Sequence, residues 1–267
     1  MSSLMSRVWK FSDLEFAVLW GGEENAYLPR PLSFTSRTPM WNDYMEERAR
    51  TRDALRGTVD PRFDEVLAAI RQPDIRIEAR GWDARDWTNA KASIRLLAAR
   101  RGERGFLITQ LPGETVEHSS GFTIAECEAV QLADVVIDAL PEAEPGKRAD
   151  IALATQDYGD DMDYGYGRSV VHDSFEGSVR DRAADFLATP APCVGRIDVI
   201  QVQSIFGPRG TTRHRLKWRD LENDGRYLID DGNPPVAMAS DRKRLIAAVN
   251  TRIAEVVRAI KDERIRG

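Results

Sequence analysis

A chain of 267 residues that is 42% hydrophobic and carries 19 glycines is long enough to bury a sizeable core without disulfides or metals. Its formal net charge of −5 creates no strong one-sided field, which argues against generic binding to nucleic acid or to an anionic membrane. The excess of arginine over lysine, 32 to 6, is what GC-rich coding produces.

Met1 to Lys10 lack the apolar stretch of a signal peptide, and no later run is long and apolar enough to span a bilayer. A cytoplasmic chain without membrane insertion is therefore expected. Ser12-Asp13-Leu14-Glu15 has the form of a capping box. The helix it opens, apolar on nearly every side from Leu14 to Trp20, stops at Gly21-Gly22 and should be buried. After the proline-stiffened Leu28-Pro29-Arg30-Pro31-Leu32, Thr38 and Pro39 are expected to start a second helix that reaches Leu55. Asp60-Pro61 opens a third, with Phe63, Val66, Leu67 and Ile70 on one face and Pro73 as its stop.

The period then changes to two. Ile75-Ile77-Ala79 and Ile94-Leu96-Ala98 alternate with polar residues, and Gly105–Gln110 and Thr115–Ser119 continue as shorter strands around Pro112-Gly113. Thr123 and Glu126 read as a second capping box, with Ala125, Ala129, Leu132, Ala133, Val136 and Leu140 as the stripe of a long helix. Residues 146–173 read as a connector. After it the order returns: a helix over Val179–Leu187, strands at Val194–Gln203, His214–Asp220, Arg226–Ile229 and Val236–Ala239, and a final helix capped by Ser240. The expected fold is α+β and quasi-two-fold. Two antiparallel meanders form a central sheet flanked by helices, in halves spanning 1–145 and 174–267 of one domain.

Local chemistry is sparse. Cys127 and Cys193 have no CxxC or ligand-spaced partner, and His118, His172 and His214 lie in three separate segments without HExxH or GxSxG. Neither a metal site nor a cofactor is expected, and the chain reads as a non-enzyme. The acidic run Asp157–Asp163 offers hard oxygens for a divalent cation but misses the EF-hand spacing, and a metal-dependent enzyme built on it is the alternative. Two surfaces could bind a partner. In the strand around His214, Arg213, Arg215, Lys217 and Arg219 share one face while Leu216 and Trp218 share the other. That face is either the solvent side of a half-buried strand, its charges discouraging edge pairing, or a basic stripe for an acidic partner; a nucleic-acid adaptor is a further alternative. Between the first two strands, Trp82, Arg85 and Trp87 crowd a short polar loop with residue types enriched at binding hot spots, although tryptophan rings also fold back onto cores.

Several segments together resemble the EspG family of cytosolic chaperones of type VII secretion. They are Leu14–Trp20 followed by Leu28-Pro-Arg-Pro-Leu32, the connector Ala139–Gly146, Leu216-Lys-Trp218-Arg-Asp220 with Gly225-Arg-Tyr-Leu228, and the closing amphipathic helix. The resemblance implies a quasi-two-fold fold and a helical secretion client, a PE–PPE-like heterodimer or a related hairpin. It also implies a client surface contributed by the loop at Trp82–Trp87 and by the helix Ser240–Ile260. Hiding an apolar client tip from the cytosol is the implied task.

Overall fold

The period-2 segments build the centre of one ten-stranded sheet. The structure, a computed structural model, describes residues 6–22, 27–153 and 174–266. Its strands are β1 (Arg7–Phe11), β2 (Ile75–Trp82), β3 (Ile94–Arg101), β4 (Arg104–Pro112), β5 (Ser119–Glu128), β6 (Ile151–Ala152), β7 (Cys193–Gln201), β8 (Arg213–Asp220), β9 (Arg226–Asp230) and β10 (Val236–Ala239). They run in the order β1-β5-β4-β3-β2-β7-β8-β9-β10-β6, and every neighbouring pair is antiparallel. The two meanders, β2–β5 and β7–β10, meet through their first strands, with Glu78 opposite Asp198 near the middle of the joint.

The helices are α1 (Asp13–Gly21), α2 (Trp41–Thr58), α3 (Phe63–Arg71), α4 (Leu132–Asp138), α5 (Ser174–Ala188) and α6 (Arg242–Arg266). Each meander thus follows one helix and precedes another, which is the expected quasi-two-fold order. On one face of the sheet, α4 and α6 cover Ile75, Ile77, Leu96, Ile197, Val199 and Leu216. On the opposite face α1 and α3 cover Leu97, Phe106, Ile108, Phe122 and Ile124, while α5 covers Tyr227, Ile229 and Ala237.

The Ser12 capping box is present: Ser12 Oγ accepts from the Glu15 amide at 3.2 Å and the Glu15 carboxylate from the Ser12 amide at 2.7 Å. Other boundaries differ from expectation. The segment from Thr123 to Glu128 is strand, not helix, and the helix begins only at Leu132. β5 is buried on both faces, Phe122 and Ile124 toward α1 and α3 and Cys127 toward α4, so its apolar residues do not alternate and imitate a helical stripe. Thr123 and Glu126 lie opposite Lys10 and Arg7 of β1, an edge strand that the sequence did not announce. Thr115–His118 is a turn, in which the His118 amide donates to the Thr115 carbonyl at 3.2 Å. Thr38 does not cap α2; its hydroxyl donates to the Glu47 carboxylate at 2.5 Å, and the helix starts at Trp41. For α6 the cap is Asp241 rather than Ser240, accepting from the Arg244 amide at 2.8 Å. The connector also adds the two-residue β6 to the sheet edge.

Candidate partner-binding surface

The loop after β2 owes its shape to one carboxylate. Asp83 is buried, and its Oδ1 accepts from the Arg85 amide at 2.9 Å and from Arg85 Nε at 3.0 Å, while Oδ2 accepts from the other end of the same guanidinium at 3.0 Å. Arg85 then reaches Glu222 at 3.0 Å, and the Ala84 amide donates to the Ala191 carbonyl. The guanidinium holds the Asp83 carboxyl down at about 2. Asp86 Oδ1 closes the next turn by accepting from the Thr88 amide at 3.0 Å and its hydroxyl at 2.6 Å. Held on both sides, Trp87 projects outward and is 75% exposed. Arg85 is therefore the strut of the loop as well as part of its surface.

Beneath the loop, Gly81 and Gly195 face each other across β2 and β7, and the indole of Trp218 lies against both. A Cβ on Gly195 would come within 2.2 Å of that ring, so only glycine permits the close approach. The next residue, Trp82, turns to the opposite face, where it is 37% exposed with the Arg80 guanidinium 6.0 Å from its ring centroid.

Trp82 opens onto a strip of sheet that lies between the helices of the two halves. Cross-strand register aligns Arg80 with Arg196 and Lys217, Glu78 with Asp198 and Arg215, and Arg76 with Ile200 and Arg213. The basic stripe is thus on the face shared with Trp82, and its side chains remain partly exposed, Arg213 at 46% and Arg215 at 37%. Since β8 is paired on both sides, by β7 and β9, its charges do not protect an edge. They gather around Asp198, 1% exposed, whose Oδ1 accepts from Arg215 Nε at 2.8 Å and whose Oδ2 lies 3.0 Å from Arg213 Nη2 and 3.5 Å from Arg196 Nε. Those partners hold its pKa below the ordinary carboxylate range even though burial pushes the other way, whereas burial raises that of Glu78.

Sequence reasoning did not single out Arg80, Arg196 or Asp198. The available signal was Asp198 itself, an acid inside the apolar run Ile197–Ile200, because a buried acid demands partners. At the far end of β7 the exposed Ile205 and Phe206 were missed as well; Glu263 of α6 pins their loop by accepting from Gln201, Ser204 Oγ and the Ile205 amide. Asp157–Asp163 and His172 lie outside the described residues. Among the described residues no group of three or more histidine, cysteine or acidic side chains could hold a metal, and no helix is long and apolar enough to cross a membrane.

Fold and surface define a class: an antiparallel α+β scaffold that carries a braced, aromatic-tipped loop at the end of an open charged strip of sheet. The sequence profile of the EspG family matches residues 12–251, and the chain belongs to that family. No curated protein sequence matches it. Among solved structures it is similar to the type VII secretion system chaperone EspG5 of Mycobacterium tuberculosis, in complex with a PE25–PPE41 dimer. The two chains are 14% identical, with a TM-score of 0.56 over 92% of this chain and 96% of the other.

Proposed function

We propose that this chain is a cytosolic, non-enzymatic chaperone of a type VII secretion system, which holds a helical client of the PE–PPE type and keeps its apolar tip soluble until export. The observation that carries the reading is membership of the EspG family over nearly the whole chain, together with a fold shared with a chaperone solved on a PE–PPE dimer. The braced loop supplies the physical means. An aromatic side chain held out by a rigid loop loses little conformational freedom on binding and buries a large apolar area. Trp82 and Trp87 are accordingly the anchors, and Arg213, Arg215 and Lys217 line the floor beside them.

The test is co-expression with candidate PE–PPE pairs, followed by size-exclusion chromatography. A 1:1 complex is expected. Trp82→Ala and Trp87→Ala should each weaken it by about 1–2 kcal/mol, the range for interface anchors, with the melting temperature unchanged. If both variants bind as tightly as the parent chain while remaining folded, the loop is not the client site.

A further inference from the structure

We propose that the open face of β2, β7 and β8 is built to receive an acidic partner surface, and that Asp198 is the positioning residue which sets its arginines for that task. The proposal rests on the reading above and names the chemistry of the client that this chain takes.

Charge is distributed unevenly over the molecule. The chain carries a net −5, yet this face presents Arg76, Arg80, Arg196, Arg213, Arg215 and Lys217 against Glu78 and Asp198, with Asp231 3.7 Å from Lys217 as a further acid at its margin. Burial ordinarily selects against such a cluster, because like charges in adjacent cross-strand positions repel. Asp198 offsets that repulsion from below. It is buried to 1% exposure, while the three guanidiniums around it keep 37–46% of their side-chain surface in solvent. One carboxylate cannot neutralise three guanidiniums, nor can it use all of their donors, since each guanidinium carries five N–H groups in a fixed fork. The remaining N–H groups stay directed from an ordered base, with their rotamers already restricted. That is the arrangement suited to bidentate recognition of carboxylates.

The occupant follows from what borders the face. Trp82 stands at one end of the strip and Trp87 beyond it, so the complementary surface is apolar at one side and acidic alongside. A helical tip flanked by glutamates or aspartates has that pattern. A polyphosphate backbone would instead meet the net negative charge of the whole chain and leave both tryptophans without apolar cover.

The test uses the full chain and three synthetic helical hairpins with the same apolar turn, flanked by glutamates, by glutamines or by lysines, with binding read by fluorescence anisotropy. The glutamine hairpin reports apolar capture alone. The glutamate hairpin should bind about tenfold tighter than the glutamine one at low salt, the lysine one weaker still, and the ratio should shrink as salt rises. Arg213→Gln with Arg215→Gln, both at partly exposed positions, should bring the glutamate-to-glutamine ratio close to one in a folded chain. Asp198→Asn separates positioning from charge counting. It removes a negative charge, so counting predicts tighter binding of the glutamate hairpin, whereas loss of positioning lowers the ratio. Equal binding of the glutamate and glutamine hairpins overturns the proposal and leaves the apolar reading standing. Failure of every hairpin to bind removes both. Tighter binding by Asp198→Asn overturns the positioning role, and a single-stranded oligonucleotide that outcompetes the glutamate hairpin assigns the face to nucleic acid and overturns the proposal.

Discussion

The residues that carry the family resemblance prove to be joints. Arg226 and Asp220, opposite each other in the β8–β9 hairpin, form a buried bidentate pair with both distances at 2.7 Å, and Arg226 also donates to the Pro141 carbonyl at 2.8 Å. Tyr227 lies against Gly146, its hydroxyl donates to Asp224, and it accepts from the Arg148 amide. The Ala139–Gly146 connector and the Gly225–Leu228 motif are therefore two sides of one contact, which explains why they occur together. Asp220→Ala should cost about 3–5 kcal/mol in urea unfolding, because it leaves a guanidinium buried without its counter-charge. Gly195→Ala, which drives a methyl into the Trp218 ring, should cost about 1–3 kcal/mol and perturb near-UV circular dichroism of the tryptophans. Both motifs were visible in the sequence as residue strings. Their partners were not, since Pro141 and Arg226 are 85 positions apart.

At the scale of elements, legibility followed alternation and turn signals rather than burial alone, since β3 and β7, with buried residues on both faces, still read as strands. Strands with one solvated face, such as β8 with Leu216 and Trp218 inward and Lys217 outward, alternate and are readable. β5, buried on both faces, is not, and β1 is a short edge recognisable only through its register with β5. For the candidate surface, the sequence marked Trp82, Trp87 and the stripe of β8, but a local reading had no access to the register that brings them to one face. The β2–β3 loop carries its own prediction. The folded-state pKa of Asp83, about 2, lies below its ordinary value of 3.8. The brace therefore adds stability that is fully present above about pH 4 and is lost as pH falls through about 2. An NMR titration of the Asp83 carboxyl should give a midpoint near 2, and the amide protection factors in 83–89, taken against the intrinsic exchange rate at each pH, should hold down to about pH 4 and fall below it. A midpoint at the ordinary value would show that the Arg85 brace is absent in solution.

For the whole molecule, the two halves share a single sheet, and the β2–β7 joint decides how they behave together. Glu78 sits at that joint with its pKa raised, chiefly by burial. A carboxyl with a folded-state pKa above its unfolded value favours folding when protonated, and that contribution fades as pH rises through the folded value. Glu78→Gln should therefore raise the melting temperature at pH 7 and give no gain at pH 3, which differential scanning calorimetry at the two values would check. Asp198, directly opposite and shifted the other way, contributes its stability at neutral pH and loses it on acidification. The same joint also sets an order of events during synthesis. The first meander can pair β2 only with β3 until β7 emerges from the ribosome, about 120 residues later, so for roughly 6–24 s the nascent chain carries β2 as an open edge. Arg76, Glu78 and Arg80 put charge along that edge during the wait, which is how β-proteins discourage pairing with a stranger. A chain proposed to guard another against premature association thus faces the same hazard in its own assembly, and meets it with side chains that later line its open face.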